Sequence, residues 1–408
     1  MTGVQTCALP IYEERIYLTG LSMGGGGTLW LGLTRPDIWA AIAPVCPAPP
    51  EGTTELAGNA SNLPVHLFVG DKDFLYPVAK EWKAKLGTTA QRLDYAEYPG
   101  VGHNSWEWAY RDAFIFEWFS QFKRDPYPEQ VKFSTRWFRY NKAYWVKFDD
   151  LVPGGMATID AKFTGNNRIE VQTSGLGAFT LNLAGHPMFD VAKKVSLTVD
   201  GQSFSEKSAD AVSFTKTDGR WENKKFTPGL TAKQPGGEGP ISAAVAGSHI
   251  YVYGTGGDPS PEELAARRAQ AAAAADWMGR GGRIMVFPRV ISDQQVRQSD
   301  YVTSNLVLFG TRETNAIIEK FADRLPLHLD VDAPDCGLLY IYPMNRHYLL
   351  ISSGLPWWTP PKQAAGQQGL TFMGSNIEML KDFGDFILFR GSPDNVIRQG
   401  TFDNEWKI

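Results

Sequence analysis

Residues 15–34 read RIYLTGLSMGGGGTLWLGLT, an apolar run, a glycine-rich turn and a second apolar run. Residues 15–20 predict a strand, and residues 28–34 continue a helix that Pro36 ends. The turn between them fits the pattern G-x-S-x-G, with Ser22 at its centre. The pattern alone is weak, and a glycine-rich turn with a capping serine is the alternative. Its place between a strand and a helix is typical of a nucleophilic serine held on a sharp turn.

Strand-like and helix-like segments continue to alternate up to about residue 125. Further apolar strands are predicted at residues 40–45, 65–70 and 91–98, and helices at residues 77–86 and 106–122. This alternation predicts a parallel sheet that is covered on both faces by helices. We expect Gly20 and Gly24, with the glycines at 25–27, to keep side chains out of the crowded turn.

Two further polar groups follow the third and fourth predicted strands. Asp71 and Asp73 come directly after residues 65–70, and His103 lies in a glycine-rich loop after residues 91–98. A carboxylate at the end of a strand can orient a histidine, and we favour Asp73 for this role with Asp71 as the alternative. His66 lies within an apolar strand and fits a buried core histidine. The chain order Ser22, Asp73, His103 is that of α/β-hydrolases rather than of chymotrypsin or subtilisin.

Residues 12–125 resemble the C-terminal half of an α/β-hydrolase domain. Within that superfamily they are similar to prolyl-oligopeptidase-like and esterase-type serine hydrolases. The resemblance rests on RIYLTGLSMGGGGTLWLGLTRPDIWAAIAPVCP, VHLFVGDKDFLYPV and YPGVGHNSWEW. The later segments NKAYWVKFDDL, GPISAAVAGSHIYVYG and SNLVLFGTRETNAIIEKFADRLPL resemble a C-terminal extension found on some bacterial members, for which no function is implied.

The resemblance implies a serine hydrolase that cleaves peptide or carboxylic ester bonds of a small substrate through an acyl-enzyme. Ser22 would be the nucleophile, His103 the general base, and Asp73 the group that orients the imidazole. The Met23 amide would donate to the oxyanion. Trp106 is a candidate substrate-binding residue, although packing of its helix on the sheet is the favoured role. The resemblance implies no cofactor and no metal.

The match lacks the early strands of the family and the loop that gives the second oxyanion amide. Residues 1–11, MTGVQTCALPI, look like translated sequencing adaptor. We therefore expect an N-terminally truncated copy of a longer natural protein. The alternative function is an inactive chain whose β-rich region binds a carbohydrate or a partner.

The remainder of the chain predicts two further regions, residues 136–230 and 240–408. In the first region, short alternating runs separated by Gly, Asn and Asp turns indicate a β-sandwich, with strands at residues 143–148, 156–163, 168–173, 179–183, 195–199 and 211–215. Residues 234–239 are typical of a linker. The second region returns to strand–helix alternation, as in a small α/β layer domain. It includes a strand predicted at residues 283–287, helices that Ser260 and Thr311 are expected to cap, and a loop predicted at residues 357–369. Aromatic residues that could bind a polysaccharide, if exposed in a row, are Trp137, Tyr144, Trp145 and Trp221.

The composition of the chain limits the classes of partner that it can bind. The 408 residues carry 40 Lys and Arg against 44 Asp and Glu, a net charge of −4. This balance argues against sequence-independent nucleic-acid binding. No apolar run is long enough for a membrane-spanning helix. The 3 cysteines have neither a disulfide pattern nor metal-ligand spacing. Cysteine usage therefore does not determine the cellular compartment of the protein. Secretion or a periplasmic location is compatible with the resemblance to bacterial proteins.

Overall fold

A computed structural model describes residues 12–207, 209–229, 231–276, 288–330, 333–358 and 377–408. The chain forms two compact units, which divide between Thr227 and Pro228. Residues 1–11, a strand predicted at 283–287 and all but the first two residues of a loop predicted at 357–369 lie outside the described residues.

The first unit begins with a four-stranded parallel sheet in the order β1-β2-β3-β4. This confirms the parallel arrangement predicted from the alternation. The bounds are β1 Tyr17–Leu21, α1 Met23–Thr34, β2 Ala41–Val45, β3 Pro64–Gly70, α2 Tyr76–Thr89, β4 Arg92–Tyr98, α3 Trp106–Ala109 and α4 Phe114–Ser120.

Both faces of this sheet are covered, which explains why β2 and β3 are fully buried and, apart from His66, consist of apolar residues. Alternate residues point to opposite faces. On one face Ile42 and Val65 pack in a core with residues of α1 and α2. On the other face Val45 and Phe68 pack with residues of α4.

The helix predicted over residues 106–122 is broken into α3 and α4. A short 3₁₀ turn lies between them, and Asp112 and Ala113 have φ of 52° and 60°. Left-handed backbone cannot continue an α-helix, so the chain changes direction there. The turn brings α4 onto the sheet, where the Trp118 indole N–H donates to Asp94 Oδ2 at 2.7 Å.

The β-rich region consists of two five-stranded sheets in the orders β14-β13-β10-β7-β6 and β12-β11-β9-β8-β5. Phe148 and Phe179 of one sheet and Phe133 and Phe163 of the other lie in one shared hydrophobic core, as in a β-sandwich. The strands β5, β12 and β14 were not expected from the sequence. The bounds are β5 Gln130–Thr135, β6 Lys142–Ala143, β7 Val146–Leu151, β8 Ala157–Gly165, β9 Arg168–Ser174, β10 Leu176–Asn182, β11 Val195–Val199, β12 Gln202–Glu206, β13 Ala211–Thr217 and β14 Arg220–Asn223.

A buried asparagine joins the parallel sheet to the β-rich region. The Asn59 side-chain amide donates to the carbonyls of Leu33, at 2.8 Å, and Ser134, at 2.9 Å. Its Oδ1 accepts from the Ser134 amide at 2.7 Å. A second side chain of the β-rich region makes a similar contact, because the Tyr144 hydroxyl donates to the Pro36 carbonyl at 2.9 Å. These hydrogen bonds satisfy main-chain groups of the helix-covered parallel sheet and of the β-rich region.

The second unit is a seven-stranded mixed sheet in the order β16-β15-β17-β19-β18-β20-β21. Strands β16, β15, β17 and β19 are mutually parallel, and the remaining pairs are antiparallel. The bounds are β15 His249–Tyr253, α5 Pro261–Ala274, β16 Arg289–Ser292, α6 Asp300–Thr303, β17 Asn305–Phe309, α7 Ala316–Phe321, β18 Cys336–Met344, β19 His347–Gly354, β20 Phe386–Arg390 and β21 Ser392–Gly400.

Two helix starts in this unit had been predicted from capping residues. Ser260 caps α5 as expected, because its Oγ accepts from the Glu263 amide at 3.1 Å. Helix α7 was expected to begin after Thr311, and this prediction is wrong. Asn315 is the cap, since its Oδ1 accepts from Ile317 N at 3.0 Å and its amide donates to the Phe309 carbonyl.

Residues 234–239, predicted as a linker, lie inside the second unit. The amides of Glu238 and Gly239 both donate to the Tyr348 hydroxyl. Among the described residues of both units, every helix is too short or too polar to cross a bilayer.

His66 in β3 is a buried core histidine, as its apolar strand predicted. Its ring stacks on Phe68 at 4.0 Å, its side chain is almost fully enclosed, and its Nδ1 has no partner in the described part of the chain. Burial lowers the pKa of His66 from 6.5 to about 4. The unfolded chain therefore binds a proton more readily, and His66 favours folding above pH 6.5 and loses this contribution as the pH falls towards 4.

His66→Phe removes this titration while keeping a ring on Phe68. Between pH 7 and pH 5 we expect the wild-type free energy of unfolding to fall by about 2 kcal/mol more than that of the variant. Urea unfolding followed by tryptophan fluorescence at both pH values measures the difference. Equal pH dependence in the two proteins would show that His66 does not titrate in this range.

Candidate active site

Ser22 lies at the sharp turn between β1 and α1, with φ 55° and ψ −118°. A serine at positive φ is strained, and surrounding contacts must hold it there. Its amide donates to the Val45 carbonyl at 3.0 Å, and its carbonyl accepts from the amides of Gly26 and Ala48. The turn is thereby fixed against the segment that follows β2.

Three of the five glycines at this turn are required by close backbone contact. A Cβ on Gly20 would overlap the Gly24 carbonyl, one on Gly25 the Val45 carbonyl, and one on Gly26 the Ala48 carbonyl. A Cβ on Gly24 or Gly27 would meet no atom within 4 Å outside the helix's own backbone. The expectation that Gly24 and Gly27 also relieve crowding is therefore wrong.

The structure brings Ser22, His103 and Asp73 into one hydrogen-bonded chain. His103 Nε2 lies 2.9 Å from Ser22 Oγ, and His103 Nδ1 lies 3.0 Å from each Asp73 carboxylate oxygen. The Asp73 side chain is fully buried, whereas that of His103 is 29% exposed. The histidine therefore faces solvent on its serine side and a buried carboxylate on the other.

The two aspartates after β3 have different partners. Asp73 Oδ1 also accepts from the Leu75 amide at 2.9 Å, which fixes the carboxylate facing His103. Asp71 Oδ1 instead accepts from the Gly100 amide at 2.7 Å and ties down the loop that carries His103. Of the two alternatives, Asp73 is therefore the one that contacts the imidazole.

The loops after β3 and β4 are joined by main-chain contacts. The Lys72 amide donates to the Val101 carbonyl at 2.9 Å, and the Asp71 amide donates to the Tyr98 carbonyl at 3.1 Å. A Cβ on Gly70 would overlap the Val101 carbonyl, so only glycine allows this approach. The separation of Asp73 from His103 is consequently set by backbone rather than by flexible side chains.

Aromatic rings border the exposed side of His103. Phe74, 74% exposed, has its ring centre 4.6 Å from the imidazole. Trp106 at the start of α3 meets the imidazole edge-on at 5.5 Å. Met23, next to the serine, is 79% exposed. Sequence reasoning missed Phe74, although an apolar residue directly after a functional carboxylate was a usable signal.

The Met23 amide lies in the first turn of α1, where helix N–H groups have no partner within the helix. The partial positive charge of the helix N-terminus adds to this donor. The amide expected to stabilise an oxyanion is therefore at the serine and available.

Cys46 follows β2 and lies behind the histidine. Its thiol contacts the His103 carbonyl at 3.5 Å, and Cys46, Asp73 and His103 offer ligand atoms within 4.8 Å of one another. Burial raises the pKa of the Cys46 thiol, so it stays protonated at neutral pH. A metal here would also have to break the His103–Asp73 hydrogen bond. We therefore interpret these three groups as hydrogen-bonding partners.

The aromatic residues considered for polysaccharide binding do not form an exposed row. Tyr144, Trp145 and Trp221 are each buried to more than nine-tenths. Trp137 is half-buried and packs edge-on against Trp30 at 5.0 Å. Tyr144, Trp145 and Trp221 belong to the hydrophobic core of the β-rich region, whereas Trp137 packs against the core of the parallel sheet.

No protein-family model and no curated protein matches the chain. Solved structures to which it is similar are esterases and other hydrolases. A thermostable esterase is 30% identical and matches over 28% of this chain and 32% of its own, with a TM-score of 0.25. S-formylglutathione hydrolase (FrmB) from Staphylococcus aureus is 21% identical over 28% and 54%, with a TM-score of 0.23. Arabidopsis thaliana SOBER1 is 21% identical over 27% and 54%, also with a TM-score of 0.23.

The matched part of the chain thus spans between a third and about half of the length of these structures. Likenesses with TM-scores this low carry no argument about chemistry.

The glycines at the turn offer a matched pair of variants. Gly20→Ala places a methyl group against the Gly24 carbonyl, and we expect a loss of about 1–3 kcal/mol in the free energy of unfolding. Gly24→Ala adds the same methyl group where space is open, and we expect a change within about 1 kcal/mol. Urea midpoints for both variants measure the contrast. Equal destabilisation would mean that the turn is not crowded as described.

Proposed function

We propose that this chain carries the catalytic centre of an α/β-hydrolase-type serine hydrolase that cleaves carboxylic ester or peptide bonds through an acyl-enzyme. The observation that carries the proposal is the hydrogen-bonded chain from Ser22 Oγ through both ring nitrogens of His103 to the Asp73 carboxylate. A serine that only caps a helix does not require a histidine nitrogen 2.9 Å from its Oγ, nor a buried carboxylate bonded to the other nitrogen of that histidine.

In the proposed reaction, Ser22 Oγ attacks the acyl carbon while His103 Nε2 takes the hydroxyl proton. The same nitrogen then returns this proton to the leaving alcohol or amine. Asp73 holds the imidazole with Nδ1 protonated and stabilises the imidazolium that forms in the transition state. Water then attacks the acyl-enzyme, again with His103 as general base.

Met23 would serve through its main-chain amide, which donates to the developing oxyanion. One such donor contributes about 3 kcal/mol to transition-state stabilisation. Phe74 and Trp106 flank His103 on its exposed side and give the entrance an apolar, aromatic border. This border would favour an acyl or leaving group with apolar surface, and Trp106 keeps the substrate-binding role predicted for it.

Ser22→Ala is the first test of the nucleophile. A fluorophosphonate probe should label the wild-type chain at Ser22, and the variant should not be labelled, because only the activated hydroxyl can displace fluoride. Mass spectrometry of the labelled peptide identifies the site. Labelling that persists in Ser22→Ala contradicts the proposed centre. A wild-type chain that is never labelled would favour a binding role instead.

Asp73→Asn and Asp71→Asn form a second, matched test. We expect Asp73→Asn to lower kcat for p-nitrophenyl acetate about 10⁴-fold, because the imidazole loses its orienting anion. Asp71→Asn keeps the oxygen that accepts from Gly100 and should change kcat less than about threefold. Parallel assays with a peptide p-nitroanilide distinguish ester from peptide cleavage. Similar losses in both variants would contradict the role given to Asp73.

A further inference from the structure

The second unit contains a pocket that has no part in the proposed reaction. Its volume is about 350 Å³, within the range of small-molecule sites. It is bordered by Tyr301 of α6, Lys320 at the end of α7, Arg324 just beyond α7, and Tyr342 of β18. The pocket is therefore built from elements that are far apart in sequence and held together by one sheet.

Among the described residues, two cations and no carboxylate line the pocket. Lys320 Nζ lies 4.9 Å from the centre of the Tyr301 ring, and the Arg324 guanidinium lies 4.7 Å from that of Phe321. Within the described part of the chain, neither cation has an ion-pair partner. Contacts with ring faces position the two charges and leave their N–H groups free to donate.

Besides burial, the carboxylates of Asp293 and Asp300 raise the pKa of the pocket residue Tyr301, and both have other partners. Asp300 accepts from Arg289 at 2.8 Å and from the Arg297 amide at 2.9 Å. Asp293 accepts from Thr255 and from the Ala316 amide. Within the described part of the chain, neither forms an ion pair with Lys320 or Arg324.

A tyrosine hydroxyl supplies a third indication. Tyr342 is 8% exposed and lines the pocket, and its hydroxyl has no hydrogen-bond partner among the described residues. The hydroxyl is therefore free to donate to a ligand in the pocket. Arg324 lines the same pocket, so the hydroxyl and the guanidinium border the same space.

We propose that this pocket binds a small organic anion, with its carboxylate or phosphate group held by Arg324, Lys320 and the Tyr342 hydroxyl. Arginine forms paired hydrogen bonds with either group, and a phenol adds a further donor. The apolar parts of Phe321 and Tyr301 provide surface for a flat or ring-bearing body. The occupant is thus defined by one charged oxygen group and a compact apolar body.

The test uses the full chain with benzoate and phenyl phosphate as anionic probes and benzamide as the neutral probe. Titrations followed by ligand-observed NMR should show saturable binding of at least one anion with a Kd of about 1 mM. The benzamide affinity should be at least about tenfold weaker, because benzamide lacks the charge. Comparing the two anions tells whether carboxylate or phosphate is preferred.

Arg324→Gln and Lys320→Gln should each weaken anion binding about tenfold, and Tyr342→Phe about fivefold. Arg268→Gln, an exposed cation on α5 outside the pocket, is the matched control and should leave the Kd unchanged. Both pocket cations are exposed, so their variants should fold, which circular dichroism verifies. Binding of neither anion, equal binding of benzamide, or equal effects of Arg268→Gln and Arg324→Gln would each overturn the proposal.

Discussion

The first unit depends on a main-chain constraint, the packing of the β1–α1 turn against the segment after β2. Ser22 adopts a backbone conformation that costs a non-glycine residue about 1–3 kcal/mol. Hydrogen bonds to Val45, Gly26 and Ala48 hold it there. The same contacts set the start of α1, the direction of the Ser22 hydroxyl and the position of the Met23 amide. One local constraint thus fixes both the proposed nucleophile and the main-chain amide beside it.

Main-chain contacts also position Asp73 and His103. Asp73 and His103 are carried on loops after adjacent parallel strands, and those loops are joined by backbone hydrogen bonds and by the close approach at Gly70. Since carboxyl ends of parallel strands meet at one edge of a sheet, residues far apart in sequence converge there. This is why the positions of Ser22, Asp73 and His103 at predicted strand ends indicate a common site from the sequence alone.

Some features could not be read from local sequence. The break between α3 and α4 occurs at Asp112 and Ala113, where neither glycine nor proline signals a change of direction. Strands β12 and β14 are short and largely exposed, so they lack a clear apolar alternation. The choice of Asn315 over Thr311 as a cap depends on a contact with Phe309 in the preceding strand. The pocket of the second unit escaped notice because its lining comes from separate segments with no common motif.

The hydrogen bonds of Asn59 restrict where the first unit can be divided. Its side-chain amide bonds to main-chain groups of both α1 and β5. In a fragment that ends before residue 130, the buried amide would lose its bonds to Ser134, and Trp30 would lose its contact with Trp137. The parallel sheet with its helices is therefore not a free-standing module that could be exchanged between proteins at this junction. Recombination would have to carry the first strand of the β-rich region with it.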